Sequence, residues 1–545
     1  MRRVKFIPGK LKQWSCYKKN NIIIWRAGIS NQNINDDIVY LIEKAKVIDV
    51  RFCKKIIQFL GDHFGIIIST PSWTLAAVDY SRGYPIYWNL ARGHLQLSAQ
   101  ANLLEKKLIN HNQVTAFRMS GYTTNDNTLW QGIKCLKAGS FLFYKNKQEF
   151  YCKRYFSFLP IENNKISYKN YILKLSKQIK NIIKKIIKDA KGNTIIIPLS
   201  AGLDSRLIAS GLKHFNYNKV KCFSYGLKNN YEAMASKKIS KKLGYEWTFV
   251  EINHQKAKSF YKTKKYKKYL QDSADGCATS TIQGLYAINE LVDKGFIKKK
   301  DIIINGNSGD FISGGHIPKP VARILIDKKN LKLHLEKIIE AHIEKHYSLW
   351  NTLNTRCNKD IIKKELSFQM SLELKNFKVP LFGLIELLEY ENRQTKYVVN
   401  SQRIYDFYNL NWLLPLWNKS YIKFWEKVPL KYKLDQKLYK ETLKILNFGG
   451  VWTDNFQFSK HISPKWMILI RLFFKAFFFF IGKKKWRLFE KKYLNYWTEN
   501  ICGFSDINFL KFCVSKNVPR NYVSLYTLIA EKINLGLNWQ KNFFN

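Results

Sequence analysis

At 545 residues and 64.4 kDa the chain is too long for one compact core, so two or three domains are expected. A content of 46% hydrophobic and 15% aromatic residues excludes wholesale disorder. The formal net charge of +52 would suit a polyanion partner, but the excess is mostly lysine spread along the whole chain. It therefore reads as solvated faces, and no nucleic-acid partner is expected. Nine cysteines lie scattered with no CxxC pair, which fits a reducing compartment. The start, MRRVKFIPGKLKQWSCYKK, has no apolar h-region, so a cytoplasmic protein is expected.

Residues 1–156 read as short β segments, among them NIIIWRAGI, HFGIIIST, TLAAVDYS, GYPIYWNL and SFLFYKN, bounded by Gly, Pro, Asn and Ser. A helix is expected near 97–109, with Ser98 placed to cap it. The polar FLPIENNKIS then reads as a linker. From about 167, Ile172, Leu175, Ile179, Ile182 and Ile186 fall on one helical stripe among lysines. Strand and helix alternate after that, which implies a parallel, doubly wound sheet. Past about 320 most of the chain reads as helical. Arg471 and Lys475 interrupt the apolar segment 465–482, KWMILIRLFFKAFFFFIG, so it is too short to span a bilayer. It reads first as a buried core helix. The sharper alternative is peripheral membrane contact through 465–485 at the inner face of the membrane, with GKKKW on anionic headgroups.

Two predicted strands end in chemistry. Ile195 to Leu212, IIIPLSAGLDSRLIASGL, breaks an apolar run with small residues and one carboxylate before helical spacing resumes. Ser200, Gly202, Leu203 and Ser205 suit a pyrophosphate at a helix N-terminus. Asp204 suits Mg²⁺ placed between it and the phosphates. The second strand, DIIINGNSGD, ends in Asn307, Ser308, Gly309 and Asp310, and Asp310 supplies a second carboxylate for the metal. Each Asp taken alone reads as well as a helix cap or turn residue. Both together, each ending an apolar strand, point to a nucleotide site.

The stretch PLSAGLDSRLIA resembles the pyrophosphate loop of the asparagine synthase family within the PP-loop ATP pyrophosphatases. FSYGLKNNYEAMASKKISKKLGYEW resembles that family's second strand and following helix, with Glu232 and Ala235 in place, and GNSGDFISGGH resembles its second loop. ENRQTKYVVNSQRIYDFYNLNWLLPLWN and YKETL resemble the helical part, where Lys440 would face the phosphates. The N-terminal region resembles the family's class-II glutamine amidotransferase domain through FLGDHFGIIIST, AVDYSRGYPIYWN and GYTTNDNTLWQGIKCLKAGSFLFY. The resemblance implies an Ntn-hydrolase-like β-rich domain at 1–156 and a doubly wound PP-loop domain at 167–460. A basic, aromatic helical extension follows at 461–545. It also implies ATP and Mg²⁺ as cofactors, adenylation of a carboxylate with release of pyrophosphate, and amide formation with ammonia or an amine.

Several residues depart from the family pattern. The glutaminase needs cysteine directly after Met, whereas Arg2 stands there, and Cys16 would need cleavage to become N-terminal. The N-terminal domain is therefore expected to lack glutaminase activity. Ala201 replaces the second residue of the loop, Asn307 stands where a Glu near the activated carboxylate is expected, and Asn411, Leu413 and Asn418 replace charged residues. A carboxylate other than aspartate is implied, for example a sugar acid in surface polysaccharide assembly. The alternatives are a PP-loop tRNA-modifying enzyme, a catalytically degenerate ATP-binding member, and a non-enzymatic membrane-surface protein.

Overall fold

The computed structural model describes residues 4–28, 33–91, 93–105, 108–145, 149–318, 331–376, 380–453, 462 and 465–537. Its N-terminal part is built on β1 (Phe6–Ile7), β2 (Trp14–Lys19), β3 (Ile22–Ala27), β4 (Gly65–Ser69), β5 (Thr74–Val78), β6 (Tyr87–Ala91), β7 (His94–Ser98), β8 (Lys134–Cys135), β9 (Ser140–Lys145) and β10 (Glu149–Arg154). They make a four-stranded sheet, β1-β7-β6-β8, and a six-stranded sheet, β10-β9-β5-β4-β3-β2. Every residue of β4 and β5 is buried, because both faces of the larger sheet are covered. Successive side chains alternate between the two faces. Ile67, Ala76 and Val78 meet Phe6 and Leu97 between the sheets. Ile66, Ile68 and Leu75 pack outward on Ile38, Cys53 and Ile56 of the helices Ile34–Glu43 and Val50–Phe59. Below the smaller sheet, Val114 and Phe117 of the helix His111–Ser120 pack on Tyr87 and Cys135. The result is helix, sheet, sheet, helix: the Ntn-hydrolase-like arrangement expected.

Among the described residues of 97–109, where a longer helix is expected, the chain forms only the single 3-10 turn Ala101–Leu103. His94–Ser98 alternates as a strand, and the Ser98 hydroxyl donates to the Ile7 carbonyl at 3.1 Å and accepts from the Gln100 N–H at 3.1 Å. The helix begins later, with Asn110 as its cap.

The second part holds five parallel strands: β11 (Ile195–Pro198), β12 (Val220–Gly226), β13 (Glu246–Glu251), β14 (Ile302–Ile304) and β15 (Asn411–Leu413). Their order is β13-β12-β11-β14-β15, so the chain winds outward from β11 in one direction and returns on its other side as β14. That reversal places a switch point between β11 and β14. The lysine-rich helix Tyr168–Ala190, capped by Ser167, buries Leu175, Ile179, Ile182 and Ile186 against the sheet. β15 falls in a stretch expected to be helical.

The two parts are bolted together. In the π-helical stretch Glu389–Val398, Glu391 pairs with Arg154 at 2.5 Å and Lys137 at 3.4 Å, both on the N-terminal part. Lys396 donates to the Thr123 carbonyl at 2.8 Å. The proposed boundary at 460/461 lies outside the described residues. Beyond it, the helix Val523–Leu535 returns to the helix His111–Ser120, where Arg118 grips the buried Glu531 through two nitrogens at 2.6 and 2.8 Å. Removing one partner of a buried pair leaves an uncompensated charge. Arg118→Ala should therefore cost roughly 3–5 kcal/mol in urea unfolding, and Glu531→Gln in the same background should restore most of it.

Candidate active site

β11 ends at Pro198, and the carbonyl of the next residue, Leu199, accepts from the Ser224 and Ser236 hydroxyls, each at 2.8 Å. The chain then turns into the helix Leu203–His214 with Gly202 as its N-cap. Ser200 and Ser205 face each other across the loop with hydroxyls 3.2 Å apart, and the Ser205 hydroxyl also accepts from the Ser200 N–H at 3.2 Å. Arg206 braces the loop from behind, donating to the Ala201 carbonyl at 2.6 Å with its guanidinium over the Trp452 ring. The loop stays open toward solvent at Gly202, whose N–H donates to the Ser200 hydroxyl at 3.1 Å, and leads there into the start of the helix.

β14 brings the second loop alongside. The Asp310 N–H donates to Asp204 Oδ2 at 3.0 Å, and the Tyr439 hydroxyl donates to Oδ1 at 2.8 Å. This approach depends on glycine. A Cβ on Gly309 would lie 2.4 Å from the Asp204 carboxyl carbon, and one on Gly306 would lie 2.7 Å from Asp204 Cβ. Burial and the facing Asp310 carboxylate push Asp204 up to about 7. Asp310 goes the other way: against the cost of burial, His316, whose Nε2 lies 2.8 Å from Oδ2, holds it below its usual range. His316 also pays for desolvation, yet Asp310 and Glu389 raise it to about 9, so it is an imidazolium at neutral pH.

Around these residues lies a cavity of about 510 Å³ lined by Ser200, Gly202, Asp204, Ser205, Asn307 and Asp310, with Glu232 at its edge. Burial raises the Glu232 carboxyl. Asn307, its amide donating to the Ser401 hydroxyl at 2.8 Å, stands where this cavity opens into a second one of about 550 Å³. The second chamber carries four cations, the His316 imidazolium, Lys345, Arg393 and Arg520, and the rings of Tyr225, Tyr397 and Tyr522. Arg520 and Tyr522 come from the C-terminal extension. Arg520 donates to the Lys345 carbonyl at 2.6 Å and to the Ser348 hydroxyl at 2.7 Å, and among the described residues no acid pairs with it.

Seven of the expected site residues therefore meet: Ser200, Gly202, Asp204, Ser205, Asn307 and Asp310 line the first cavity, and Leu203 opens the helix beside it. Lys440 does not join them. It is exposed on the helix Lys437–Leu446 and lines a separate surface hollow with Lys431, Asp435 and Lys444. One residue is about 100° on a helix, and it is Tyr439 that this turn aims at Asp204. Asn411 is exposed at the start of β15, Leu413 is buried, and Asn418 caps the helix Lys419–Glu426. Arg2 lies outside the described residues, and Cys16 sits within strand β2.

Sequence reasoning missed Tyr439, His316, Lys345, Arg393 and the residues of the extension. Of these only His316 had a signal, its place directly after the Gly-Gly of the second loop.

Residues 194–446 match the asparagine synthase family. No curated protein matches the chain. Among solved structures, the NH3-dependent NAD synthetase of Campylobacter jejuni is 14% identical over 41% of this chain and 92% of its own, with a TM-score of 0.20. The allosteric regulatory enzyme of purine biosynthesis is 11% identical over 45% of this chain and 58% of its own, with a TM-score of 0.18. The glutamine phosphoribosylpyrophosphate amidotransferase of B. subtilis is 11% identical over 57% and 60%, with a TM-score of 0.17. Likeness this slight carries no functional statement. The match over residues 194–446 takes in both carboxylate loops and the cavity between them, so this region of the chain is an asparagine synthase domain.

Proposed function

We propose that the protein adenylates a carboxylate with ATP, releases pyrophosphate, and passes the acyl group to ammonia or an amine. The observation that carries this reading is the pair Asp204 and Asp310, set at the carboxyl ends of the adjacent parallel strands β11 and β14 over the Ser200–Ser205 loop. Two carboxylates fit a hard divalent cation that keeps waters and shares phosphate oxygens. Among the described residues no group of three or more His, Cys, Asp or Glu could hold a metal, so this chain would supply Asp204 and Asp310 alone. Mg²⁺ held there would offset the charge on departing pyrophosphate.

The Ser200 and Ser205 hydroxyls and the Leu203 N–H take the pyrophosphate oxygens, with Gly202 letting them approach the backbone, as the loop's open helix start favours. An oxygen of the acceptor carboxylate attacks the α-phosphorus, and the bond from that phosphorus to pyrophosphate breaks. The amine then attacks the acyl carbon, a C–N bond forms, and AMP leaves with the electron pair of the C–O bond while the nitrogen loses a proton. Asn307, at the junction of the two cavities, is placed to hold the carboxylate being activated. The second chamber receives the rest of the acceptor. Its cations favour an anion and its tyrosine rings a flat or ring-shaped body, which suits a sugar acid of surface polysaccharide assembly. The N-terminal domain acts as a structural partner without glutaminase activity, since Cys16 is held in mid-strand; glutamate release from glutamine by the purified protein would contradict that.

The decisive experiment is ATP–pyrophosphate exchange across a panel of acids that includes aspartate and uronic acids. Exchange with one acid should fall at least about 100-fold in Asp204→Asn and Asp310→Asn. Arg520→Ala should raise the KM for the acid about tenfold with a smaller change in kcat, because it removes a binding contact remote from the reacting atoms. Exchange with no acid despite ATP binding would overturn the reading. RNA binding that weakens steeply with salt would replace it with the tRNA-directed alternative.

The carboxylate pair also leaves a mark on stability. Asp204 binds its proton more tightly folded than unfolded, so between its ordinary value and about 7 the unfolded state has already released a proton that the folded state retains. Stability of the metal-free protein therefore falls as pH rises through that window. Asp204→Asn should be more stable than the parent at pH 8 by on the order of 1–3 kcal/mol, and the gain should vanish at pH 4. Thermal melts in chelator at both pH values would read it.

A further inference from the structure

The helix Trp466–Ile481 has one buried residue, Met467. The inward side holds together through aromatic packing: Phe474 and Phe478 lie on Phe489, and Phe478 also meets Trp486 of the returning helix Lys483–Phe489. Gly482, at a φ of 107°, makes the reversal between the two helices. Arg471, the one cation turned inward, is paired with Glu490 at 2.8 Å. Everything else faces out. Eleven of the 26 exposed large apolar side chains among the described residues fall between 466 and 488. They culminate at the turn, where Phe479 is 81% and Phe480 89% exposed. A patch this concentrated is not ordinary surface hydrophobicity.

We infer that the hairpin 466–489 docks the protein on an anionic lipid bilayer, with Phe477, Phe479 and Phe480 at the turn entering the acyl boundary. Charge decides the occupant. No Asp or Glu occurs between 465 and 489, while Lys475, Lys483, Lys484, Lys485 and Arg487 are all exposed around the apolar turn. A cluster of this kind is complementary to anionic headgroups, and Lys475, set among the phenylalanines, can reach them by snorkelling. Depth is limited by length. Sixteen helical residues rise about 24 Å, short of a roughly 30 Å hydrocarbon core, and no described helix is long and apolar enough to cross a membrane. The hairpin lies in the interface without crossing it.

The test is flotation of the full-length protein with vesicles of phosphatidylcholine alone and of phosphatidylcholine doped with phosphatidylglycerol. The protein should float with the doped vesicles, and raised salt should weaken but not abolish this. Replacing Phe473, Phe477, Phe479 and Phe480 together by Ser should cut the bound fraction about tenfold or more, while the thermal melt stays cooperative. Lys483→Gln, Lys484→Gln and Lys485→Gln combined should remove the preference for doped vesicles. No flotation, or flotation indifferent to the Ser substitutions, would overturn the proposal. So would a dimer in sedimentation that dissociates in the Ser variant, since a second copy of the chain would then be the occupant.

Discussion

A single buried carboxylate organises the site. Glu389 is 1% exposed, and its two oxygens receive His316 Nδ1, His346 Nε2 at 3.1 Å, Lys345 at 3.3 Å, Arg393 at 3.3 Å and Gln394 at 2.9 Å. Burial alone would raise it; His346 and His316 hold it well below the usual carboxylate range instead. A charge this deep is tolerated only when surrounded by donors, and four of those that satisfy it, His316, Lys345, His346 and Arg393, line the second chamber. His316 carries the arrangement onward to Asp310, whose N–H holds Asp204, which in turn receives Tyr439. From Glu389 to the pyrophosphate loop, each group is fixed by the charge or hydrogen bond of the one before.

The backbone around Glu389 is π-helical, a geometry that recurs at functional sites. It puts Gln394, five residues on, within reach of the Glu389 carboxylate. It also lets nearby residues serve different neighbours: Glu389 faces the site cations, while Glu391, held to about 2 against burial by Lys137 and Arg154, faces the N-terminal domain. Site geometry and domain docking are therefore set by one turn of chain. The N-terminal domain therefore has a structural role at the site, because Lys137 and Arg154 neutralise a carboxylate two residues from Glu389.

The parts of this architecture visible in the sequence are those in which local pattern and tertiary role coincide. Ile195–Ile197 and Ile302–Ile304 are buried on both faces, so their apolar runs end where the chemistry begins, and both aspartates could be found without a structure. The stripe from Leu175 to Ile186 likewise has one partner and one period. Glu389, Lys345 and Arg393 carried no such signal, because each is a charged residue in a helical stretch that acquires meaning only when far-separated segments meet. Lys440 and Tyr439 show the limit of such reading, since a helix turns a one-residue shift into a different face and it is Tyr439 that reaches Asp204. His94–Ser98 failed because its alternation was weighed less than the capping capacity of Ser98. The buried-core reading of 465–482 failed because an apolar sequence states what a helix prefers to touch and leaves open whether this chain supplies it.

That last distinction bears on the C-terminal extension as a whole. The segment C-terminal to the family match contributes in three separate places. Its hairpin exposes phenylalanines, Arg520 and Tyr522 wall the second chamber, and Glu531 is clamped by Arg118 of the N-terminal domain. The clamp gives the extension a fixed seat on the body of the protein, so the loop carrying Arg520 is held at the chamber with little ordering left for a substrate to induce. An exposed apolar hairpin on a well-anchored segment is costly for a freely diffusing protein. It is reasonable for one whose acceptor is presented at a lipid surface, where docking and chamber wall then belong to the same piece of chain. In this arrangement the family-matched residues 194–446 build the loop cavity, and the segment that follows adds Arg520 and Tyr522 to the wall of the chamber beside it.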